Sequence, residues 1–405
     1  MVSFRDPIHN DLFFDGVIEE LILTEEFQRL SEVKQLGLTD KVYPGANHTR
    51  FSHSLGVCFV AGEMAKRLGV PPKDRELIQI AALLHDIGHY DFSHALETLA
   101  PYGHEENGKR IILGNAALPG RQNGQIAAVL RKNDIPPERV VQLLHNEGEF
   151  PEFYHSILSS PLLDADRMDY LKRDTYYTGA VIGEIDIGRL LSVIVVHPKT
   201  RELGIMQKGV ASLEQFLVAR MHMYQQVYLH ADSAAGEAML RKAAASSISI
   251  AKPLMYGDGH LLARLAEQGT PLTKRLVARI RQGKRAFLQQ ALIVDATGSA
   301  KHLLHRIEAA YAKEIASPGS TEKTILKLAG LKDGELLVSF PSAHKRQGLP
   351  KFPVLLSEGG WMDFFDLAPI ARAAMQEHNS KVAFVVYAAP EHAEKVRKAA
   401  IAFLE

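Results

Sequence analysis

Between residues 17 and 250, apolar positions recur mostly at three- and four-residue intervals, the spacing that gives a helix one buried face. The pattern breaks at YPGANH, VPPKD, GNAALPGRQNG and DIPPE, where proline, glycine and short polar residues stop helices. This part reads as a predominantly helical body. The stretch LEQFLVARMHMYQQVYLHADSAAGEAMLRKAAA, uninterrupted by Gly or Pro until Gly236, predicts one long buried helix. Strand-like runs appear at LLSVIVVH and, after PKT, at RELGIMQ, which predicts a hairpin or small sheet. From about Asp333 onward GELLVSFP, FPVLLSEGG and KVAFVVYAAP alternate with the helical PIARAAMQEH and EHAEKVRKAAIAFLE. That alternation predicts a small α+β lobe. The expected fold class is mainly α, with a helical core over 1–250 that includes an N-terminal extension, a helical connecting region over 251–332, and an α+β lobe over 333–405. The loops ASPGSTEK and SAHKRQGLPK fall toward the end of this plan.

One helical run departs from its own pattern. LIQIAALLHDIGHYDFSHALE, residues 77–97, carries His85, Asp86, His89 and His94 where apolar packing would call for leucine. A single histidine on an apolar helix is usually a hydrogen-bonded core residue. An adjacent His-Asp followed by Gly-His is harder to explain so, because burying an unpartnered carboxylate costs several kcal/mol, roughly.

Composition narrows the choice. The 405 residues allow one large core with an annex or two domains, and 47 Lys+Arg balance 47 Asp+Glu. With no net basic field, a polynucleotide scaffold is disfavoured. Cys58 is the single cysteine, so an intramolecular disulfide and a cysteine zinc site are excluded, and a reducing, cytoplasmic setting is expected. No secretory pattern opens the sequence and no apolar run reaches membrane-spanning length, so no membrane partner is expected. Of the 18 histidines, His9, His48, His145, His155, His197 and His302 are set aside as structural or surface residues.

His53 in RFSHSLG, His85 and Asp86 in LLHDIGH, and Asp166 in LLDADRMDYLKRD fit a divalent metal site (Mn, Fe, Mg, Co or Zn) with coordination positions left open. Their separation requires three helices to converge. His89 is expected one helical turn beyond His85 on the same face. His94 and Glu97 follow an expected bend at Tyr90–Phe92, and His104 follows a Gly break able to start a helix. Open metal positions beside proton-carrying side chains point to phosphoester or phosphoanhydride hydrolysis.

The blocks DPIHNDL, TEEFQRLSEVKQLG, YPGANHTRFSHSLGV, ALLHDIGHYDFSHALE, GHEENG and DADRMDYLKRDTYYTG, in this order over about residues 4–240, resemble the HD-domain phosphohydrolases. Within that family they resemble the deoxynucleoside triphosphate triphosphohydrolases, including the sterile-alpha-motif HD enzymes and their bacterial relatives. The resemblance implies metal ligands at His53, His85, Asp86 and Asp166. It implies that His89, His94 and His104 line the α-phosphate, that His104 protonates the leaving 5′-oxygen, and that Glu97 orients it. Arg50, Arg167 and Arg220 would bind the triphosphate. Gln35, Leu36, Tyr170, Asp174 and Tyr228 would form the sugar pocket, with core packing the alternative for the tyrosines. Leu23 and Ser31 replace the acid and arginine of the animal enzymes' activator site, so GTP activation is not carried over. The blocks begin at residue 6, and no sterile-alpha-motif domain is expected.

The leading expectation is a dNTP triphosphohydrolase giving deoxynucleoside and tripolyphosphate, a homo-oligomer by resemblance. Alternatives are hydrolysis of a dinucleoside polyphosphate, a nucleoside monophosphate or a guanosine alarmone, and a non-catalytic nucleotide-sensing scaffold.

Overall fold

The computed structural model describes residues 1–295, 303–317, 319–340, 349–377 and 382–405. His302 and most of SAHKRQGLPK lie outside them. The chain is mainly helical and forms two compact units. The first comprises Met1–Val227, Pro253–Gly259 and Leu349–Ala374; the second comprises Tyr228–Lys252, His260–Gly348 and Met375–Glu405. This differs from the contiguous plan read from the sequence. The expected C-terminal lobe is divided, because Pro353–Leu355 pairs in parallel with Leu203–Met206 of the first unit.

The first unit starts with a hairpin that the helical reading passed over. Strand β1 (Val2–Asp6) pairs antiparallel with β2 (Asn10–Phe14), from Val2 opposite Phe14 to Asp6 opposite Asn10. Asp6 Oδ1 shapes the turn by accepting from the amides of Ile8 and His9, both at 2.9 Å.

Three helices then set the geometry. Arg50–Arg67 begins at a capping box between Thr49 and Ser52. Pro72–Leu84 begins with proline at its first position, where no amide is needed, and buries the continuous run Ile80–Leu84. Ala165–Thr178 is capped by Asp164, which accepts from the Arg167 amide, and ends at Gly179 with φ +70°. The first two pack side by side, and the third lies against Arg50–Arg67.

The expected long helix is broken. Val210–Met223 runs into a π-helical turn, Tyr224–Tyr228, and a new helix begins at Ala231 and ends at Ala245. The expected hairpin is present as β3 (Ile194–Val196) and β4 (Leu203–Met206), which join β7 (Pro353–Leu355) and β8 (Trp361–Asp363) in the order β3-β4-β7-β8.

In the second unit, β5 (Gln289–Asp295), β9 (Val382–Ala388) and β6 (Leu336–Ser339) form an antiparallel sheet in the order β5-β9-β6. Helices Ser320–Ala329 and Ala393–Leu404 bury Ile325, Leu326, Val396 and Leu404 with Phe384 and Val386. Strand β5 lies in the region expected to be helical. Its short apolar run, ALIV, carries no period that separates strand from helix. Among the described residues no helix is long and apolar enough to cross a membrane.

Candidate metal centre

The convergence expected from the sequence is present. His53 comes from the first turn of Arg50–Arg67, His85 and Asp86 from the end of Pro72–Leu84, and Asp166 from the first turn of Ala165–Thr178. His53 Nε2 stands 3.0 Å from Asp166 Oδ1 and 3.6 Å from Asp86 Oδ2. His85 Nε2 lies 3.4 Å from Asp86 Oδ1 and 3.7 Å from Asp166 Oδ1. Both Nε2 atoms are buried and neither makes a hydrogen bond.

Each ring is oriented from its other nitrogen. His85 Nδ1 donates to the Ala82 carbonyl at 2.7 Å, and His53 Nδ1 donates to Asp169 Oδ2 at 2.7 Å. Both rings therefore turn Nε2 toward the carboxylates, the nitrogen that gives up its proton when a metal takes its place. Two unpartnered imidazole nitrogens converging with two carboxylates fit a divalent cation.

The charge pattern agrees. Burial alone would depress the His53 imidazole, but Asp166 and Asp169 push it up to about 10. Against burial, Arg50 and then His85 hold Asp86 well below the usual carboxylate range. Asp166 is likewise lowered, chiefly by His53 and His85 working against burial. The pocket demands positive charge, which protons or a metal ion can supply.

An outer shell that sequence reading missed supports the centre. Asp169 Oδ1 accepts from His9 Nε2 at 2.7 Å, and Arg173 grips Asp169 through Nε and Nη2, both at 2.8 Å. Arg173 Nη1 reaches Asp6 Oδ2 at 2.7 Å. The N-terminal hairpin thus completes the network behind His53. Gly56 makes room for it, since a Cβ there would overlap Asp169 and Arg173. His9 is not the isolated residue the sequence implied. The i, i+4 pair Asp169 and Arg173 in DADRMDYLKRD was the available signal.

A second imidazole cluster adjoins the first. The Pro72–Leu84 helix stops before His85, so His89 does not sit one turn along a continuous helix as expected. It follows a tight turn, with its amide bonded to the Asp86 carbonyl at 3.1 Å. His89 Nε2 then stands 3.1 Å from Asp86 Oδ1, and its ring stacks on His104 with centroids 4.1 Å apart. His94 meets both rings edge-on. The stack requires backbone contact: a Cβ on Gly88 would overlap the His104 carbonyl and the Gly108 amide, and Asn107 Nδ2 donates to the Gly88 carbonyl at 2.7 Å. His104 opens the helix His104–Ile112, as the Gly break predicted.

Glu97 holds two of the three rings. It accepts from His104 Nδ1 at 2.7 Å and from His94 Nδ1 at 3.0 Å. These bonds, His104 first, lower its carboxyl well below the usual range. Burial, and then the Arg50 charge, hold His89 well below an ordinary imidazole, so it is neutral.

The remaining expected residues divide. Arg50 Nη1 donates to Asp86 Oδ2 and its Nε to Ser93 Oγ at 2.8 Å, so its guanidinium is committed beneath the centre. Arg167 pairs with Asp164, leaving a buried Nε without a hydrogen-bond partner, and Arg220 Nε donates to the Tyr170 hydroxyl at 3.2 Å. Asp174 Oδ1 accepts from His48 Nε2 at 2.7 Å, while the His48 carbonyl accepts from the Gln35 amide at 3.0 Å. His48, set aside from the sequence, joins the two expected sugar residues. Gln35 Oε1 is buried with no hydrogen-bond partner, and Leu36 adjoins it. Tyr228 belongs to the second unit. Leu23 is exposed, and Ser31 is spent on the Gln28 carbonyl.

A helical body that brings one His, an adjacent His-Asp and a later Asp together defines an HD-type centre. The HD domain model matches residues 50–174 and the HD associated region model matches residues 185–405, and the chain belongs to this family. It is 40% identical over 250 residues to an uncharacterized protein of Methanocaldococcus jannaschii, covering 61% of this chain and 50% of that one. A Bacillus subtilis protein, also uncharacterized, is 39% identical over 246 residues (59% and 54% coverage). The human deoxynucleoside triphosphate triphosphohydrolase SAMHD1 is 30% identical over 263 residues (57% and 42% coverage). The chain spans about half the length of the curated relatives it matches. A crystal structure of a hypothetical protein from Aquifex aeolicus superposes with a TM-score of 0.75 at 26% identity, covering 98% of this chain and 99% of that one. A phosphohydrolase from Bacteroides thetaiotaomicron shares the fold with a TM-score of 0.70 at 23% identity, covering 96% and 99%.

Proposed function

We propose that the protein is a metal-dependent phosphohydrolase of nucleoside polyphosphates, and specifically a dNTP triphosphohydrolase that releases deoxynucleoside and tripolyphosphate. The observation that carries this reading is the pair of buried, unbonded imidazole nitrogens of His53 and His85 facing Asp86 and Asp166. These four side chains would hold a divalent cation. When bound, such an ion offsets phosphate charge and lowers the pKa of water.

The chain's own residues supply the rest. His104, held at Nδ1 by Glu97, presents Nε2 to a leaving oxygen as a general acid. His89, neutral and buried, and His94 line the α-phosphate. Arg167 and Arg220 bind the distal phosphates, while Arg50 keeps Asp86 ionised and in place. Gln35, Leu36, Tyr170 and Asp174 receive the sugar, with Gln35 Oε1 offering an unused acceptor. The name of the human relative supports the choice of deoxynucleotides.

The test is a turnover screen of dNTPs, NTPs and dinucleoside polyphosphates with Mn, Mg, Co and Fe, products being separated by chromatography. Nucleoside with tripolyphosphate is the expected result. Mononucleotide products would replace it with the dinucleoside polyphosphate reading, and metal-replete protein without turnover would leave the non-catalytic scaffold.

A further inference from the structure

Asp258 serves neither the metal centre nor its outer shell, yet it joins two segments that meet at the site. It lies in Pro253–Gly259, a segment the chain returns to the first unit, and stands 166 residues after Phe92. Its Oδ1 accepts from the Phe92 amide at 2.6 Å and its Oδ2 from the Lys34 amide at 3.0 Å. Ser93 closes the ring, since its Oγ donates to the Lys34 carbonyl and accepts from Arg50 Nε, both at 2.8 Å.

The connection is reciprocated from the loop. Asp91 accepts from the Gly257 amide at 2.7 Å and the Tyr256 amide at 3.0 Å, and its own amide donates to the Leu254 carbonyl at 2.9 Å. The fully buried Arg29 faces both carboxylates and donates Nη2 to the Ile87 carbonyl at 2.8 Å. This bracing meets a local need. Phe92 and Ser93 both adopt left-handed backbone, with φ +58° and +56°, a conformation non-glycine residues keep when surrounding contacts over-determine it. They lie between His89 and His94, while Lys34 immediately precedes Gln35 and Leu36.

We propose that Asp258 is a positioning residue that sets the histidine loop and the Gln35–Leu36 segment in register, so that one carboxylate fixes both the phosphate end and the sugar end of the pocket. This rests on the hydrolase reading for its catalytic consequence. It assigns to the HD associated region, through Asp258, a direct part in shaping the HD site.

The test uses the full chain with Asp258→Asn, which keeps one carbonyl acceptor, and Asp258→Ala, which keeps neither. Metal content after Mn loading, kcat and KM for dATP and ATP, and amide hydrogen exchange are measured on each. Mn content equal to wild type is expected, with kcat for dATP falling up to about a hundredfold in Asp258→Ala, as small misplacements of reacting groups do, and less in Asp258→Asn. The preference for dATP over ATP should narrow, and exchange should quicken over 33–36 and 90–95 while the Arg50–Arg67 helix stays protected. A purely structural residue would move neither the sugar preference nor exchange confined to those two segments. The proposal is overturned by a folded variant with unchanged kcat and preference, by loss of bound Mn, or by unfolding of both variants. If wild type turns over neither nucleotide, the hydrolase reading fails, and the exchange pattern alone decides whether Asp258 couples the two segments.

Discussion

The two imidazole clusters that flank Asp86 use the same side chain in opposite ways. His53 and His85 are sunk among carboxylates, with Nδ1 tied down and Nε2 left buried and unbonded. His94 and His104 retain 66% and 25% of their side-chain exposure and share Glu97, while His89 alone of this cluster reaches Asp86. The difference teaches that surroundings, rather than residue type, separate a group suited to holding a cation from one suited to moving a proton. A buried imidazole nitrogen set among carboxylates needs a proton or a cation to offset their charge. A half-exposed ring on a carboxylate tether can exchange its proton with substrate and solvent.

The comparison can be broken from either side. The largest effect is expected from changing His85 and Asp86 together to Ala, which should remove bound metal and reduce turnover below detection while circular dichroism remains helical. Retained metal by elemental analysis would place the centre elsewhere. On the proposed roles His104→Ala should lower kcat by about 10²–10⁴-fold with metal content unchanged, since His104 would act there as a general acid, although His89, His94 and His104 also lie close enough together to hold a metal ion. Metal lost along with activity would erase the distinction between the clusters.

A smaller effect sharpens the description of the buried side. Arg173→Met removes the grip on Asp169, and metal affinity should fall about 10–100-fold, as for other outer-shell partners. Isothermal titration with Mn measures it, and an unchanged affinity would make the Asp6–Arg173–Asp169 network purely structural. The effect of a single pH unit is smaller again. His53 in the metal-free protein is pushed up to about 10, so at neutrality a metal must displace its proton. Affinity should therefore rise with pH, about tenfold per unit for each proton displaced, until that value is passed. For the metal-free chain the sign reverses: stability from this raised imidazole is complete below about 6.5 and lost as pH climbs through about 10. Melting curves of apo protein between pH 6 and 10 would reveal a flat response if His53 were unperturbed.

Much of the inner site was legible because chemistry conflicted with pattern. His85 and Asp86 interrupt a leucine-rich helix, and a conflict of that kind calls for a local explanation. His9 and His48 gave no such contrast, since each lies in a polar segment, and only folding brings them to Asp169 and Asp174. The position of His89 was misjudged because periodicity cannot announce that a helix ends one residue before its ligand. The break after Met223 was hidden for a related reason: a π-helical turn needs neither Gly nor Pro. In the second unit β5 was lost among helices, while β6 and β9 were visible as apolar runs alternating with helical segments.

The partnership of His9 and Asp6 with the Ala165–Thr178 helix also concerns time. Their partners, Asp169 and Arg173, lie 160 and 167 residues later in the chain. At ribosomal speeds of roughly 5–20 residues per second, the hairpin waits about 8–30 s for them to be made. During synthesis His53, His85 and Asp86 are all made before Asp166, so for a time a nascent chain carries three of the four side chains that would hold the ion. The set is complete only once Asp166 has been made, and the earliest residues to emerge are locked only after the Ala165–Thr178 helix exists.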